Sequence, residues 1–274
     1  MIVTSAEDVA SMNIRNKLLN LEDWKEVGSF DGSAVLEHGQ YHMILIQEIH
    51  LYWEELDKAV EADTGNTYDC FIFASRHRSK TGLRTLTVHP LGNYGCADFG
   101  GRPDTVVPAH PRLMTNALLL LKEKASDLDF EISFEVSHHG PYLSTPTFFI
   151  EIGSDESAWP EEEPARRIAQ VLMELPDSNL TSQDEIVIGV GGGHYAPRHT
   201  DLVFRMKASI GHMVPNYALE HLDEQMVSQL KEKCGAEKVY FHKKFAKAAV
   251  RDRVKELFSQ QGINSVRSKD LEPR

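Results

Sequence analysis

Short apolar runs alternate along this chain with longer amphipathic stretches, and this alternation constrains the fold more than any other feature. Eight runs rich in Val, Ile, Phe and Thr have the length and composition of β-strands. They cover residues 2–4, 42–47, 70–74, 84–88, 132–136, 147–152, 185–190 and 238–241. Strands that alternate with helices favour an α/β fold, with a mainly parallel or mixed sheet flanked by helices.

Helical patterns fall between these runs. Residues 111–124 place apolar side chains at Leu113, Leu118 and Leu121, which is the spacing of one helix face. Further helical stretches cover residues 8–19, 164–174, 220–233 and 243–260. Since 274 residues is long for one domain and short for two, we expect one α/β domain over residues 1–260 and a C-terminal tail at 261–274.

The cysteine content and the hydropathy of the chain indicate the cellular compartment of the protein. No apolar stretch approaches the roughly 20 residues of a membrane span, and the N-terminus lacks the basic start and apolar segment of a signal peptide. Cys70, Cys96 and Cys234 form no CxxC pair, so neither a disulfide framework nor a thiolate zinc site is expected. These features predict a cytoplasmic protein that does not enter a membrane.

The charge is distributed unevenly. The whole chain carries a formal charge of −12, yet residues 231–274 contain 12 Lys and Arg against 6 Asp and Glu. A basic C-terminal region on an acidic body could present one patch to a phosphate backbone. The alternative is a solvated basic helix that binds nothing. Basic residues recur there at roughly helical spacing, at Lys243, Lys244, Lys247, Arg251 and Lys255.

Histidines follow the ends of four predicted strands. His77 and His89 come after the third and fourth of these apolar runs, His138 and His139 come as a pair, and His194 follows a glycine-rich turn. In a parallel sheet the carboxyl ends of the strands lie along one edge, where sites gather. We therefore expect the imidazoles to converge at that edge.

Neutral imidazole is the commonest ligand for a metal such as zinc. A catalytic zinc takes three protein ligands and leaves one position for a water that it activates. The candidate ligands are His89, His138, His139 and His194, of which His138 and His194 are also catalytic candidates. Glu151, in an apolar strand, could add a ligand or a general base. The alternative for each histidine is a hydrogen-bonded structural role.

Three successive glycines precede His194. Their N–H groups could surround an anion or a developing oxyanion, although a tight turn without a ligand is the alternative. No Gly-Lys-Ser/Thr follows, so this is not a P-loop. Basic side chains near these motifs could hold a nucleic-acid substrate. The predicted substrate-binding residues are Gly191, Gly192, Gly193, Tyr195, Arg76, Arg78, Arg198, Lys243 and Lys244.

Five motifs together resemble the archaeal and plant D-aminoacyl-tRNA deacylases. They are SRHRS at 75–79, TVHPLGN at 87–93, SHHGP at 137–141, GGGHYAPR at 191–198 and GHMVPNYAL at 211–219. The similarity runs from the N-terminus to about residue 260, with the motifs in the family's order. SHHGP followed by GGGHYAP is the most specific part.

The resemblance implies a zinc-dependent, monomeric enzyme with a phosphorylase/hydrolase-like α/β fold. Its substrate would be D-aminoacyl-tRNA, whose ester it hydrolyses to keep D-residues out of translation. Two alternatives remain open at this stage. One is a nucleoside phosphorylase or nucleosidase that needs no metal, and the other is a tRNA- or metal-binding protein without turnover.

Overall fold

The structure, a computed structural model, describes residues 1–243 and 245–274. Seven α-helices lie in these residues: α1 Val9–Leu21, α2 Leu56–Thr64, α3 Pro111–Ala125, α4 Glu162–Glu174, α5 Pro197–Arg205, α6 Glu224–Cys234 and α7 Ala248–Gln260. The strands are β1 Ile2–Ser5, β2 Lys25–Phe30, β3 Ser33–His38, β4 Tyr41–Ile46, β5 Phe71–Arg78, β6 Thr85–Pro90, β7 Gly92–Asn93, β8 Thr105–Val106, β9 Glu131–Phe134, β10 Thr147–Ser154, β11 Glu185–Val190, β12 Ala208–Val214, β13 Lys238–Phe241 and β14 Asn264–Val266.

The larger sheet has eight strands in the order β2-β3-β4-β1-β5-β10-β6-β9. Its centre is parallel, because β4, β1, β5 and β10 run in one direction. β6 and β9 run parallel to each other but antiparallel to β10, and β2 and β3 form an antiparallel hairpin at the other edge. The sequence-based expectation of a mixed, mainly parallel α/β fold is confirmed.

β10 lies inside the larger sheet, and all eight of its residues are buried. Its side chains alternate between the two faces, as in any strand. Phe148 and Ile150 enter the main core beneath α1, α3 and α4, whereas Phe149 joins a smaller core on the opposite face. Glu151 follows at the next position on the Phe149 side, so an apolar strand delivers a carboxyl group to that face.

A second, all-parallel sheet has the order β12-β11-β13-β14. It packs against the first through α3, and Ile150 and Ile210 share one apolar cluster. Among the described residues, no helix combines the length and apolar character needed to cross a lipid bilayer.

The C-terminal residues 261–274, which the sequence analysis sets apart as a tail, are packed against the body of the protein. β14 pairs with β13 at the edge of the second sheet, and Leu271 is buried in the main core. The Arg274 guanidinium donates to the carbonyl oxygens of Val203 and Leu180 and pairs with Asp184. Edge pairing and these bonds hold the segment in place.

Candidate active site

The predicted histidines converge on a face of the larger sheet and not at its edge. Because β6 runs antiparallel to β10 while β5 runs parallel to it, the carboxyl ends of these strands lie at opposite ends of the sheet. The expectation of a shared edge was therefore wrong. His77 of β5 pairs with Gly153 of β10, and His89 of β6 pairs with Phe149. Glu151 lies between them on the same face, within 3.7 Å of both imidazoles.

Glu135 occupies the centre of the cluster, and the sequence-based prediction missed it. The residue follows β9 directly and is fully buried. Its Oε2 lies 2.9 Å from His194 Nε2 and 3.5 Å from His138 Nε2, and its Oε1 lies 3.2 Å from His77 Nδ1. Among the described residues, neither oxygen has a partner in hydrogen-bond geometry. A buried carboxylate that lacks such partners is expected to interact with a further charged group.

The adjacent His138 and His139 both reach the cluster because the chain leaves the strand before them. His139 adopts a left-handed backbone with φ of 42°, a conformation uncommon for a residue other than glycine. This turn brings the two rings to a centroid distance of 4.3 Å, and the His138 ring lies 4.2 Å from that of His89. Three imidazoles from β6 and one loop therefore form a compact group.

These three imidazoles share one hydrogen-bond pattern. The Nδ1–H of His138 donates to the Val136 carbonyl at 2.8 Å, and that of His139 donates to the Gly140 carbonyl at 2.6 Å. His89 Nδ1–H donates to the Pro90 carbonyl at 3.1 Å. A carbonyl can only accept, so each Nδ1 carries the proton and each Nε2 keeps a lone pair. Metal-binding histidines are oriented by this kind of bond.

Burial keeps the same three imidazoles neutral. Loss of solvent lowers the pKa of His89 to about 4 and that of His139 to about 3. Burial, with the neighbouring imidazoles adding to it, also holds the pKa of His138 well below its ordinary value. Neutral imidazole is the form that binds a metal ion, so this group fits a cation without first losing protons.

The two buried carboxyls differ in protonation. Burial, followed by the charge of Glu135, raises the pKa of Glu151 well above its ordinary value. Burial opposes ionisation of Glu135 as well, but the close imidazoles of His194 and His77 outweigh it and hold its pKa well below normal. Two carboxyls whose pKa values are driven apart are typical of acid–base sites. Glu135 is thus the stronger acid of the pair and Glu151 the weaker one.

The pKa values of His77 and His194 are shifted upward, in the opposite direction from those of His89, His138 and His139. Burial lowers the pKa of each, but the contact with Glu135 and the charges of Glu135 and Glu151 exceed that effect and raise it. Tyr195 is half-buried, and its hydroxyl lies 3.0 Å from His77 Nε2. His77 is held between this hydroxyl and the carboxylates.

Three overlapping sets of side chains could each hold a metal ion, because their ligand atoms lie within 4.8 Å of one another. The sets are His89–His138–His139, His77–Glu135–His194 and His89–Glu135–Glu151. Among the described residues, His89 Nε2 is buried without a hydrogen-bond partner, as expected of a ligand atom. The residues present therefore fit a divalent cation.

Two cavities flank the cluster. The first, of about 610 Å³, includes Asp8, His50, Ser75, Arg76 and Glu151 in its lining. The second, of about 530 Å³, includes Tyr94, Asp98 and Tyr217. Both are lined by His138, His139, His194 and Phe99. A substrate whose scissile bond lies at the shared histidines could thus place one half of the molecule in each cavity.

Known proteins resemble the chain over its whole length. A family profile described as D-aminoacyl-tRNA deacylase matches residues 64–266. A protein named D-aminoacyl-tRNA deacylase from Methanosarcina acetivorans is 38% identical, over 98% of this chain and 92% of that one. Its counterpart in Thermococcus kodakarensis is 33% identical, over 97% and 99%. This chain belongs to the D-aminoacyl-tRNA deacylase family. The family and the expectation of an enzyme are confirmed.

A solved structure also matches. It is described as a conserved protein of unknown function, superposes with a TM-score of 0.92 at 31% identity, and covers 99% of this chain and 97% of its own. The fold of this deacylase family member therefore recurs nearly unchanged in another protein.

The glycine turn of this family member is largely engaged by the protein itself. Gly191 N–H donates to the Val214 carbonyl at 2.8 Å, and Gly192 N–H donates to Asn216 Oδ1 at 3.3 Å. Among the described residues, Gly193 N–H has no such acceptor. Of the three predicted anion donors, the Gly193 amide alone is thus left available to a ligand.

The predicted basic side chains lie at different distances from the cluster. Arg76 and Arg78 alternate with His77 along β5 and lie over the Trp159 ring, and Arg78 also pairs with Glu156. Arg198 lies in the first turn of α5, next to the glycine turn, and is exposed. Burial lowers the pKa of the nearby His242, and the charge of Arg198 lowers it further. Lys243 is exposed beyond β13, and Lys244 lies outside the described residues. The roles of all five stay predictions.

Proposed function

We propose that this chain is a cytoplasmic, monomeric D-aminoacyl-tRNA deacylase that hydrolyses the ester between a D-amino acid and tRNA with the help of zinc. The observation that supports this most is the set of three neutral imidazoles, His89, His138 and His139, whose Nδ1 protons are all bound to backbone carbonyls. Three histidines with one position left for water are a known catalytic zinc arrangement.

His89, His138 and His139 suit zinc better than His77 and His194. A ligand must be deprotonated, and Glu135 raises the pKa of both His77 and His194. Burial lowers the pKa of the other three. When bound, zinc supplies Lewis-acid chemistry that lowers the pKa of water and polarises an ester carbonyl.

The remaining residues handle protons. His194 lines both cavities, and its Nε2 lies 2.9 Å from Glu135 Oε2. An imidazole held by a carboxylate is suited to accept a proton from water as the water oxygen bonds to the acyl carbon. Burial and the charge of Glu135 raise the pKa of Glu151 well above its ordinary value, so the protonated form of Glu151 is suited to deliver its proton to the ribose oxygen as the ester bond breaks. Gly193 N–H can stabilise the oxyanion.

Release of D-tyrosine from D-tyrosyl-tRNA tests the proposed function directly. We expect turnover with the D-substrate and none above background with L-tyrosyl-tRNA. Binding of the tRNA without release would favour a non-catalytic binding protein. Cleavage of nucleosides in the presence of phosphate, without deacylation, would favour a phosphorylase.

Zinc removal should abolish the deacylation. Chelation is expected to lower the rate by at least about 10²-fold, because the activated water is lost, and addition of Zn²⁺ should restore it. The measurement is the deacylation rate together with zinc content by mass spectrometry. Full activity in protein that contains less than a tenth of an equivalent of zinc would contradict the proposed role of the metal.

Charge reversal at Lys243 should weaken tRNA binding. In Lys243→Glu we expect a higher KM, an unchanged kcat, and a salt dependence of log KM that is flatter by about one unit of slope per lost phosphate contact. Lys25→Glu is a matched control, because Lys25 is an exposed lysine of β2 in the other sheet. Equal slopes in the wild type and in Lys243→Glu would make the basic region a solvated surface only.

A further inference from the structure

Two exposed aromatic side chains lie beside the candidate active site. Among the described residues, three aromatic side chains are more than half exposed: Phe99 at 63%, Tyr217 at 59% and Tyr52 at 55%. Phe99 and Tyr217 both line the second cavity. Large apolar rings are usually buried, so exposed rings at a cavity mark a binding surface.

The second cavity is suited to a neutral planar ring rather than to a phosphate. Its lining contains aromatic and polar side chains from Tyr94, Phe99, Tyr217 and His221, and it contains the acidic Asp98. Lys and Arg are absent from that lining among the described residues. Without a cation the cavity would not attract a phosphate group, whereas flat rings stack on nucleobases of any sequence.

Backbone contacts hold both rings in place. The Gly140 N–H donates to the Phe99 carbonyl at 3.0 Å, which ties the Phe99 loop to the turn that carries His139. No side chain could fit at Gly140, because a Cβ there would lie 2.1 Å from Gly101 N. On the other wall, Asn216 N–H donates to the Gly192 carbonyl at 2.9 Å and so fixes the position of the neighbouring Tyr217.

The tRNA would approach from the side of this second cavity. Tyr217 lies in the 3-10 helix Asn216–His221, which packs against α7. Arg253 of α7 donates to the carbonyls of Leu219 and Leu222 and joins the two elements. The basic helix α7 thus adjoins the 3-10 helix that forms a wall of the second cavity, so a chain bound along α7 would reach that cavity with its free end.

We propose that the second cavity stacks the terminal nucleobase of the unpaired 3′ end of tRNA between Phe99 and Tyr217, so that the amino acid enters the first cavity. This assignment rests on the proposed function, since it places the ester at the histidines that both cavities share. Single-stranded RNA is commonly read by bases that stack on aromatic side chains. Asp98 can accept a hydrogen bond from the base or the ribose of the same nucleotide.

Binding of a short RNA tests the proposal without turnover. The probe is the trinucleotide CCA with 2-aminopurine in place of the terminal adenine, whose fluorescence is quenched on stacking. We expect quenching by the wild type and roughly tenfold weaker binding by Phe99→Ala and Tyr217→Ala. Tyr217→Phe keeps the ring, and Tyr52→Ala removes an exposed ring that lines neither cavity, so both should bind like the wild type.

Two results would overturn the proposal: no quenching by the wild type, or equal binding by all four variants. Turnover provides the second readout, since KM for D-tyrosyl-tRNA should rise in the two alanine variants more than kcat falls. The two alanine variants could instead bind the trinucleotide normally and change the ratio of kcat/KM for D-tyrosyl-tRNA to kcat/KM for D-alanyl-tRNA. That result would show that the second cavity holds the amino acid. Trinucleotide binding by a wild type that releases no D-tyrosine would refute the deacylase function and leave the nucleotide site standing.

Discussion

Glu135→Gln is expected to lower the deacylation rate by about 10³-fold, within the range for loss of acid–base catalysis. The carboxylate is fully buried and has imidazole nitrogens of His77, His138 and His194 within 3.5 Å. Glutamine keeps the shape but removes the charge. Because Glu135 raises the pKa of His194, its neutralisation should lower that pKa. His194 would then stay deprotonated to lower pH, so the acid limb of the remaining activity should shift to lower pH.

Glu131→Gln is the matched control for this experiment. Glu131 begins the strand that Glu135 follows, but its side chain is exposed. We expect unchanged turnover and an unchanged pH profile in this control. Thermal melting should show that both variants are folded. A Glu135→Gln protein with wild-type turnover would remove Glu135 from the active site.

His138→Ala and His194→Ala should each lower turnover by about 10²- to 10⁴-fold with the protein still folded. The two should differ in their zinc content. His138 has the hydrogen-bond pattern of a metal ligand, so His138→Ala is expected to lose zinc. His194 pairs with Glu135, so His194→Ala is expected to keep it. Turnover and zinc content are measured on the same preparations.

His38→Ala serves as the control for both variants, because His38 ends β3 and its partner is Glu22. It should keep both zinc and activity. Activity within threefold of wild type in His138→Ala and His194→Ala would exclude the two residues from catalysis. Equal zinc loss in both variants would instead place His194 among the ligands.

Most of the strands could be predicted from the sequence because they are buried. The runs at 185–190 and 238–241 match β11 and β13 to the residue. β2 was missed because five of its six residues are exposed and polar side chains prevail. β12 was missed because Gly211 and His212 are unusual in a strand. The structure explains the glycine, since a Cβ there would lie 2.4 Å from the Cβ of Cys234.

The candidate site could be predicted in part. Each histidine followed an apolar run, which marked His89, His138 and His139 correctly as neighbours. Strand direction could not be predicted, since an apolar run has the same composition in either orientation. Glu135 did carry a signal, because a charged residue stands between Phe134 and Val136 in an apolar strand. The same signal, a carboxyl group within an apolar run, identifies Glu151.

Anomalous X-ray diffraction at the zinc edge, from crystals of the active protein, tests the central claim most directly. The account predicts a peak on the β5-β10-β6-β9 face of the larger sheet, about 2.0–2.1 Å from Nε2 of His89, His138 and His139. A protein that deacylates D-tyrosyl-tRNA with no peak at these imidazoles, or with its zinc bound elsewhere, would contradict it.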